Sequence, residues 1–207
     1  MSARTAGLYA RGGKRAVDVL VAAALVVLIA PLLVAAALLV ASTSRGPVLF
    51  RQERLGRSGR TFQVLKFRTM TDEVRHAHVE RFGADPSVTA VGVWLRRTKV
   101  DELPQLFNVL AGDMSLVGPR PALPTQLEEY DEVARRRLLV RPGMTGLAQV
   151  HGNIHLSWPE RWRWDVAYVD RIGPGLDARI LVNTVLVVLL GEGRYVSSQS
   201  GSSGPGA

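Results

Sequence analysis

Two adjacent carboxylates, Asp101 and Glu102, are the residues of this 207-residue chain whose types and setting best suit chemistry. A carboxylate can act as a nucleophile, as a base or as a ligand of Mg²⁺. Three basic residues come shortly before the pair: Arg96, Arg97 and Lys99. Such cations can hold a diphosphate and neutralise the charge that develops in phosphoryl transfer. The structural alternative is a helix cap plus a first-turn acid, which stabilises a helix by about 1 kcal/mol.

Further basic side chains are candidates for phosphate binding. Arg120 lies in Gly-Pro-Arg-Pro, where two prolines restrict the backbone around a guanidinium suited to bidentate phosphate contacts. Arg141 in Arg-Pro-Gly is a candidate for the same reason, because a proline restricts the backbone beside its guanidinium. Lys66 and Arg68 flank Phe67 and share one face if the segment is a strand. For each of these cations, a solvated surface charge is the alternative interpretation.

A short helix is expected to position the acidic pair. Four apolar residues follow it at helical spacing: Leu103, Leu106, Phe107 and Leu110. Pro104 is compatible only with the first turn, so the helix is predicted to begin near Asp101, acting as N-cap, and to end at Gly112. The sequence therefore places both carboxylates at a helix N-terminus.

A long apolar stretch, Val19–Ala41, contains 23 residues without a charge. As a helix it measures about 35 Å, against a hydrocarbon core of about 30 Å. Pro31 lies near its middle, and basic clusters flank it on both sides. Because positive flanks favour the cytoplasmic side, we predict a re-entrant helix kinked at Pro31. A true membrane span and a buried soluble helix are the alternatives.

The rest of the chain predicts a small mixed domain. Two short strands, Val48–Phe50 and Phe62–Leu65, are expected around a basic Gly-Ser-Gly loop. Residues 71–90 are expected to be irregular or weakly helical, residues 124–140 to form one helix and residues 141–146 a turn. The tryptophan-rich segment 158–171 suits a membrane interface. The apolar segment 176–190 is too short and too polar to span a membrane, and we expect it either to lie in the interface or to pack on the domain.

The amino-acid composition of the chain limits the classes of function that it can have. The chain has no cysteine, which excludes disulfides and thiolate metal sites. Its formal net charge of +8 suggests a polyanionic partner, or simply a solvated basic face. Histidine metal binding is disfavoured, because His76 with His78 and His151 with His155 have no evident third ligand. Nucleic-acid binding rests on charge alone, so no nucleic-acid partner is expected.

Taken together and in order, the motifs resemble the bacterial sugar transferases, the small monotopic phosphoglycosyl transferases. The resemblance covers roughly residues 14–193 and rests on Lys-Arg-x-x-Asp before the apolar stretch and on five further segments. These segments read GPVLFRQERLGRSGRTFQVLKFRTM, VDELPQLFNVLAGDMSLVGPRP, RPGMTGLAQV and WDVAYV, with LDARILVNTVLVVL at the end.

The resemblance implies transfer of a sugar 1-phosphate from a UDP-sugar to polyprenol (undecaprenyl) phosphate, with release of UMP. It implies Asp101 as the nucleophile of a covalent phosphosugar intermediate. The resemblance also implies that Glu102 helps to hold Mg²⁺ or assists proton transfer. Asp101 and Glu102 together would then form the metal site. The substrate-binding residues it implies are Lys66, Arg68, Arg96, Arg120, Arg141, Gln149 and Asp165.

Two departures from the family pattern stand out. After Gly-Leu-Ala-Gln-Val the family commonly continues with Asn-Gly-Arg, whereas this chain has His151-Gly152-Asn153. The proline of the membrane segment is often preceded by serine, and here it follows Ala30. The first departure removes an arginine from a region implied to contact nucleotide or sugar.

The predicted fold class is mostly α with a small β element. We expect a basic segment over 1–15, a re-entrant membrane helix over 16–41, a catalytic domain over 42–193 and a disordered tail over 194–207. The expected location is the cytoplasmic face of the bacterial inner membrane, in contact with its lipids. A homodimer stays open. The alternative function is a non-catalytic membrane-anchored scaffold that binds anionic lipids or protein partners.

Overall fold

The computed structural model describes residues 9–71 and 87–190, together with Gly7. The chain enters through a π-helical turn, Tyr9–Gly13, and continues into a 30-residue helix, α1, Lys14–Thr43. Helical structure continues through Pro31, so the helix-break-helix predicted there is not confirmed. Within the described residues, α1 is the one helix long and apolar enough to cross a membrane.

Helix α1 contacts the rest of the protein at both of its ends. Its buried residues fall into two pairs separated by more than three turns: Asp18 with Ala22, and Ala36 with Val40. Between the pairs, Val27 and Leu28 are 77% and 75% exposed. The two ends of α1 therefore pack on one domain, while apolar side chains of its middle face outward.

An antiparallel hairpin follows α1. Strands β1, Leu49–Leu55, and β2, Thr61–Phe67, pair with Leu49 opposite Phe67. The connecting turn, Arg57–Gly59, uses the left-handed conformation of Gly59 (φ 76°). The two predicted strands and their basic loop are thus confirmed, with longer strands than the apolar runs indicated.

Two short helices frame the acidic pair. Helix α2, Ala90–Arg97, begins where the Thr89 hydroxyl accepts a hydrogen bond from the Gly92 amide at 2.9 Å. Gly92 packs against the Thr69 carbonyl so tightly that an added Cβ would lie 2.1 Å from its oxygen. After a 3₁₀ turn, helix α3, Gln105–Ala111, ends at left-handed Gly112, as the sequence predicts.

The segment predicted as one helix over 124–140 is broken into three pieces. A 3₁₀ helix, Pro124–Glu129, precedes α4, Glu132–Arg135, and a second 3₁₀ helix, Arg136–Leu139. The single-helix prediction is wrong because Asp131 starts a new helix, its Oδ1 accepting from the Ala134 amide at 2.6 Å.

A parallel strand pair and three helices complete the fold. Strand β3, Ser115–Val117, pairs with β4, Gly143–Thr145, so the turn predicted over 141–146 contributes a strand. The remaining helices are α5, Leu147–Val150, α6, Trp158–Asp170, and α7, Pro174–Leu190. The class is mostly helical with a small β element, as predicted.

Buried polar contacts fix the start of α1 to distant parts of the chain. The Lys14 ammonium lies 2.6 Å from Asp177 Oδ2, and the Tyr168 hydroxyl donates to Asp177 Oδ1 at 2.8 Å. The Ser115 hydroxyl donates to Asp18 Oδ2 at 2.7 Å. These contacts join α1 to the start of α7 and to β3, and a buried charge is tolerated because it is paired.

Arg68 lies beneath the other end of α1. Its guanidinium donates to the carbonyls of Ser44 at 2.6 Å, Pro47 at 2.8 Å and Val40 at 3.4 Å, and the residue is 3% exposed. The resemblance implies a substrate-binding role for Arg68, whereas the contacts observed are with backbone carbonyls at the end of the helix.

Arg68→Met is expected to lower the free energy of unfolding by about 3 kcal/mol, because the carbonyls lose their buried charged donor. Thermal denaturation of the whole chain in detergent measures this change. Arg60→Met, at an exposed position of the same hairpin, is the control and should leave stability unchanged. Equal stability of the two variants would contradict the assignment.

Candidate active site at the start of helix α3

The acidic pair sits in a reversal of the chain between α2 and α3. Lys99 takes the left-handed conformation (φ 59°), and Val100–Glu102 form a 3₁₀ turn. This turn brings Asp101 to the inside, where it is 8% exposed. The prediction that Asp101 is an N-cap is wrong: the cap position of α3 is Pro104, and no side chain bonds the helix amides there.

Burial dominates the electrostatics of Asp101. Desolvation, reinforced by the negative charge of Glu102, raises the pKa of the Asp101 carboxyl from 3.8 to about 6. Lys66, Lys99 and Arg96 act in the opposite direction without cancelling this rise. Asp101 Oδ1 is buried and has no hydrogen-bond partner in the protein. The carboxylate is thus ionised at neutral pH and has a free oxygen.

The electrostatic environment of Glu102 is opposite to that of Asp101. Its Oε1 lies 2.8 Å from the Lys66 ammonium and 3.3 Å from an Arg120 guanidinium nitrogen. Burial by itself would raise the pKa of Glu102, but the charges of Lys66 and Arg120 outweigh it and hold this pKa well below its usual range. Glu102 therefore stays ionised, and it fixes two cations beside Asp101.

The pair is compatible with a Mg²⁺ ion that a phosphorylated substrate helps to bind. Mg²⁺ commonly takes one or two carboxylates, with waters and substrate phosphates filling its other positions. Asp101 supplies a buried oxygen without a partner, and Glu102 supplies an ionised carboxylate. No group of three or more candidate ligands occurs in residues 9–71 and 87–190, so an all-protein cage is not found there.

Activity that depends on ionised Asp101 should fall below about pH 6. Because its pKa is raised to about 6, the carboxyl becomes protonated as the pH drops through that value and loses its negative charge. The check is the initial rate of turnover between pH 4.5 and 8. A rate that stays constant down to pH 4.5 would contradict the assigned pKa. In Arg96→Met the midpoint should rise, because that guanidinium lowers the pKa of Asp101.

The structure brings some of the other predicted site residues to the pair and not others. Arg96 is near enough to lower the pKa of Asp101, and its Nε donates to Thr69 Oγ1 at 2.9 Å. Arg141 lies at the opposite end of α3, where its Nε donates to the Gly112 carbonyl at 2.8 Å. Arg15 donates to the Val109 carbonyl at this same end.

Gln149 and Asp165 line a depression on the other side of Arg120. There Asp165 Oδ2 pairs with Arg137 at 2.7 Å, and burial raises the pKa of Asp165 to about 6 despite that guanidinium. Arg137 is not among the predicted site residues, because it occurs in a run of three arginines that suits a solvated helix end.

Comparison with known proteins identifies the family. Residues 9–191 match the model of the bacterial sugar transferase family, so the chain belongs to it. An uncharacterized sugar transferase of Haemophilus influenzae is 38% identical over 211 residues, covering 94% of this chain and 45% of the relative. The exopolysaccharide production protein ExoY of Rhizobium meliloti is 37% identical over 198 residues, 88% of each chain.

A third relative has a name that states a reaction. The UDP-glucose:undecaprenyl-phosphate glucose-1-phosphate transferase of Klebsiella pneumoniae is 38% identical over 195 residues, covering 88% of this chain and 41% of the relative. The chain thus spans less than half of this relative and of the Haemophilus one. The protein is an enzyme of the sugar transferase class, and its relatives include undecaprenyl-phosphate sugar phosphotransferases.

Proposed function

We propose that this chain transfers a sugar 1-phosphate from a UDP-sugar to undecaprenyl phosphate and releases UMP. The observation that carries the proposal is the contrast within the acidic pair. Asp101 keeps a buried oxygen without a partner, while Lys66 and Arg120 hold Glu102 ionised. The names of the relatives supply the substrate classes, and the site supplies a nucleophile beside fixed positive charge.

In the first step an Asp101 carboxylate oxygen attacks the phosphorus that bears the sugar. The new bond is an acyl phosphate, and the bond that breaks joins this phosphorus to the oxygen of the UMP phosphate, which departs with the electron pair. In this step the cations next to Glu102, Lys66 and Arg120, neutralise the charge that develops on the diphosphate. Fixed charges stabilise such a transition state because they need no reorganisation.

In the second step a phosphate oxygen of the undecaprenyl phosphate attacks the same phosphorus. The acyl phosphate bond breaks, Asp101 returns as a carboxylate, and the product is an undecaprenyl diphosphate sugar. A carboxylate leaves readily from an acyl phosphate, so one difficult displacement becomes two easier ones. When bound by Asp101 and Glu102, Mg²⁺ would supply neutralisation of phosphate charge.

The reaction places the site at the membrane boundary, because one substrate is soluble and the other lies in the bilayer. The exposed apolar middle of α1 supports membrane contact, and the docking of both ends of this unbroken helix on one domain supports a position with both ends on the same side of the membrane. By the positive flanks of α1 we assign that side as cytoplasmic. The reaction then forms the first membrane step of polysaccharide or glycoconjugate synthesis.

Single cysteines at Gly12 and at Arg45, both exposed positions flanking α1, should react with a membrane-impermeant thiol reagent from the same side. The chain has no native cysteine, so each label reports one position. Labelling in right-side-out and inverted vesicles measures this. Access to the two positions from opposite sides would refute the re-entrant course and favour a span.

Release of UMP from a panel of UDP-sugars, by the full chain in nanodiscs, tests the function. We expect release that requires Mg²⁺ and, for multiple turnovers, undecaprenyl phosphate. Without the acceptor, a single equivalent of UMP should appear as the covalent intermediate accumulates. If no nucleotide sugar is turned over under any of these conditions, the proposal fails and the scaffold alternative gains support.

A further inference from the structure

A depression on the far side of Arg120 has polar atoms for which the protein provides no partners. Arg120, Gln149, Trp162 and Asp165 all line it. Four buried atoms of its lining residues lack a hydrogen-bond partner: Arg137 Nε, Asp165 Oδ1, Gln149 Oε1 and Trp162 Nε1. Leaving such atoms unpaired costs about 1–3 kcal/mol each, so a ligand that pairs them gains affinity.

The depression is also strongly cationic. Its arginines are Arg54, Arg120, Arg137 and Arg161, and Asp165 is the acid among its lining residues. Asp165 is 1% exposed and already shares its Oδ2 with Arg137. A lining with four arginines and one acid suits an anionic ligand better than a neutral sugar.

Two indole rings supply flat apolar surface in the same place. Trp158 is 38% exposed, with the Arg161 guanidinium 4.5 Å from its ring centroid. Trp162 is held at its other edge by Tyr130, with ring centroids 5.1 Å apart. A planar heterocycle packs well on surfaces of this kind.

We infer that this depression binds the nucleoside monophosphate half of the donor, and so retains the leaving group beside the acidic pair. The inference rests on the proposed function. Arg120 joins the two regions, because its side chain contacts Glu102 while its backbone carbonyl accepts from Arg137 at 2.7 Å. The phosphate lies by the arginines, and the nucleoside pairs Asp165 Oδ1, Gln149 Oε1 and the Trp162 N–H.

One departure from the family pattern, at residue 153, lies in this depression. Asn153, which stands where the family commonly has arginine, lines the same depression and takes a left-handed conformation (φ 40°). Arg161 lies in the same lining and supplies a guanidinium there. The depression therefore keeps a cationic wall although residue 153 is neutral.

Titration of UMP into the full chain in nanodiscs, by calorimetry, tests the inference without any turnover. Trp162→Phe keeps the ring and removes only the unpaired N–H, so we expect UMP affinity to fall about three- to tenfold. Asp165→Asn should reduce affinity by about tenfold or more, because it removes a charged acceptor. Trp94→Phe and Asp170→Asn, at exposed positions outside the depression, should leave UMP affinity unchanged.

Unchanged UMP affinity in Trp162→Phe overturns the inference. If the donor KM of that variant rises while UMP affinity does not, the depression takes the sugar half instead. Because Asp165→Asn leaves Arg137 without its buried partner and can unfold, the phenylalanine variant decides the matter. An inactive chain whose UMP affinity still depends on Trp162 refutes the transfer reaction and leaves the nucleotide pocket standing.

Discussion

Asp101→Asn is expected to lower the rate of sugar-phosphate transfer by about 10³-fold or more, the scale seen when a covalent nucleophile is removed. The amide keeps the size and burial of the carboxyl but cannot form the acyl phosphate. Two measurements check this: UMP release, and retention of radiolabelled sugar phosphate on the protein after denaturation. The control is Asp113→Asn, at an exposed position just beyond Gly112, which should keep full activity. Full activity in Asp101→Asn would refute the nucleophile.

The same variant should be more stable than the wild type at neutral pH. The folded-state pKa of Asp101, about 6, lies above its ordinary value of 3.8, so the folded protein holds the proton more tightly than the unfolded chain. The stabilisation from the protonated carboxyl is fully present below about pH 4 and is lost as the pH rises through 6. Asparagine avoids this loss of about 2–3 kcal/mol at pH 7.5. Lost activity with raised thermal stability therefore excludes unfolding as the cause.

Lys66→Met should reduce the transfer rate by about 10²-fold or more, the loss that follows removal of a fixed charge that stabilises a transition state. Glu102 then keeps Arg120, at 3.3 Å, and loses the closer ammonium at 2.8 Å. The pKa of Asp101 should rise in consequence, since Lys66 is the largest of the charges that lower it. Measurement of kcat and KM over pH 5–8 detects both effects.

Lys66→Arg keeps the positive charge and should recover part of the lost rate. Recovery is partial because the planar guanidinium contacts the single Glu102 oxygen with a different geometry. Arg51→Met, at an exposed position of the same hairpin, is the neutral control. A Lys66→Met enzyme with unchanged kcat and unchanged pH dependence would show that the Glu102 ion pair is structural.

The sequence predicted the local features of the fold well because short-range signals determine them. Glycines at 56 and 59 bracket the hairpin turn, and Gly112 ends α3 in the left-handed conformation. Long-range contacts carry no such signal. The Lys14–Asp177 ion pair joins residues 163 positions apart, and nothing in either local sequence indicates that partner.

The site was predicted in part for the same reason. Resemblance and charge pattern selected Asp101 and Glu102, but the spacing suggested a capping aspartate, and the left-handed Lys99 that turns it inward has no sequence signature. Lys66 and Arg68 have the same local pattern. Their roles separate only in three dimensions, with Lys66 on Glu102 and Arg68 on the carbonyls at the end of α1.

The attachment of α1 at both ends restricts how this protein can adapt to its membrane. Asp18 and Val40 are both buried against one domain, and the 22 helical steps from one to the other rise about 33 Å. A free membrane helix adjusts to a thicker or thinner bilayer by tilting, but this helix cannot tilt unless the domain rotates with it. Hydrophobic mismatch must then be absorbed by deformation of the surrounding lipid, so bilayer thickness becomes a variable that sets the height of Asp101 relative to the proposed lipid substrate.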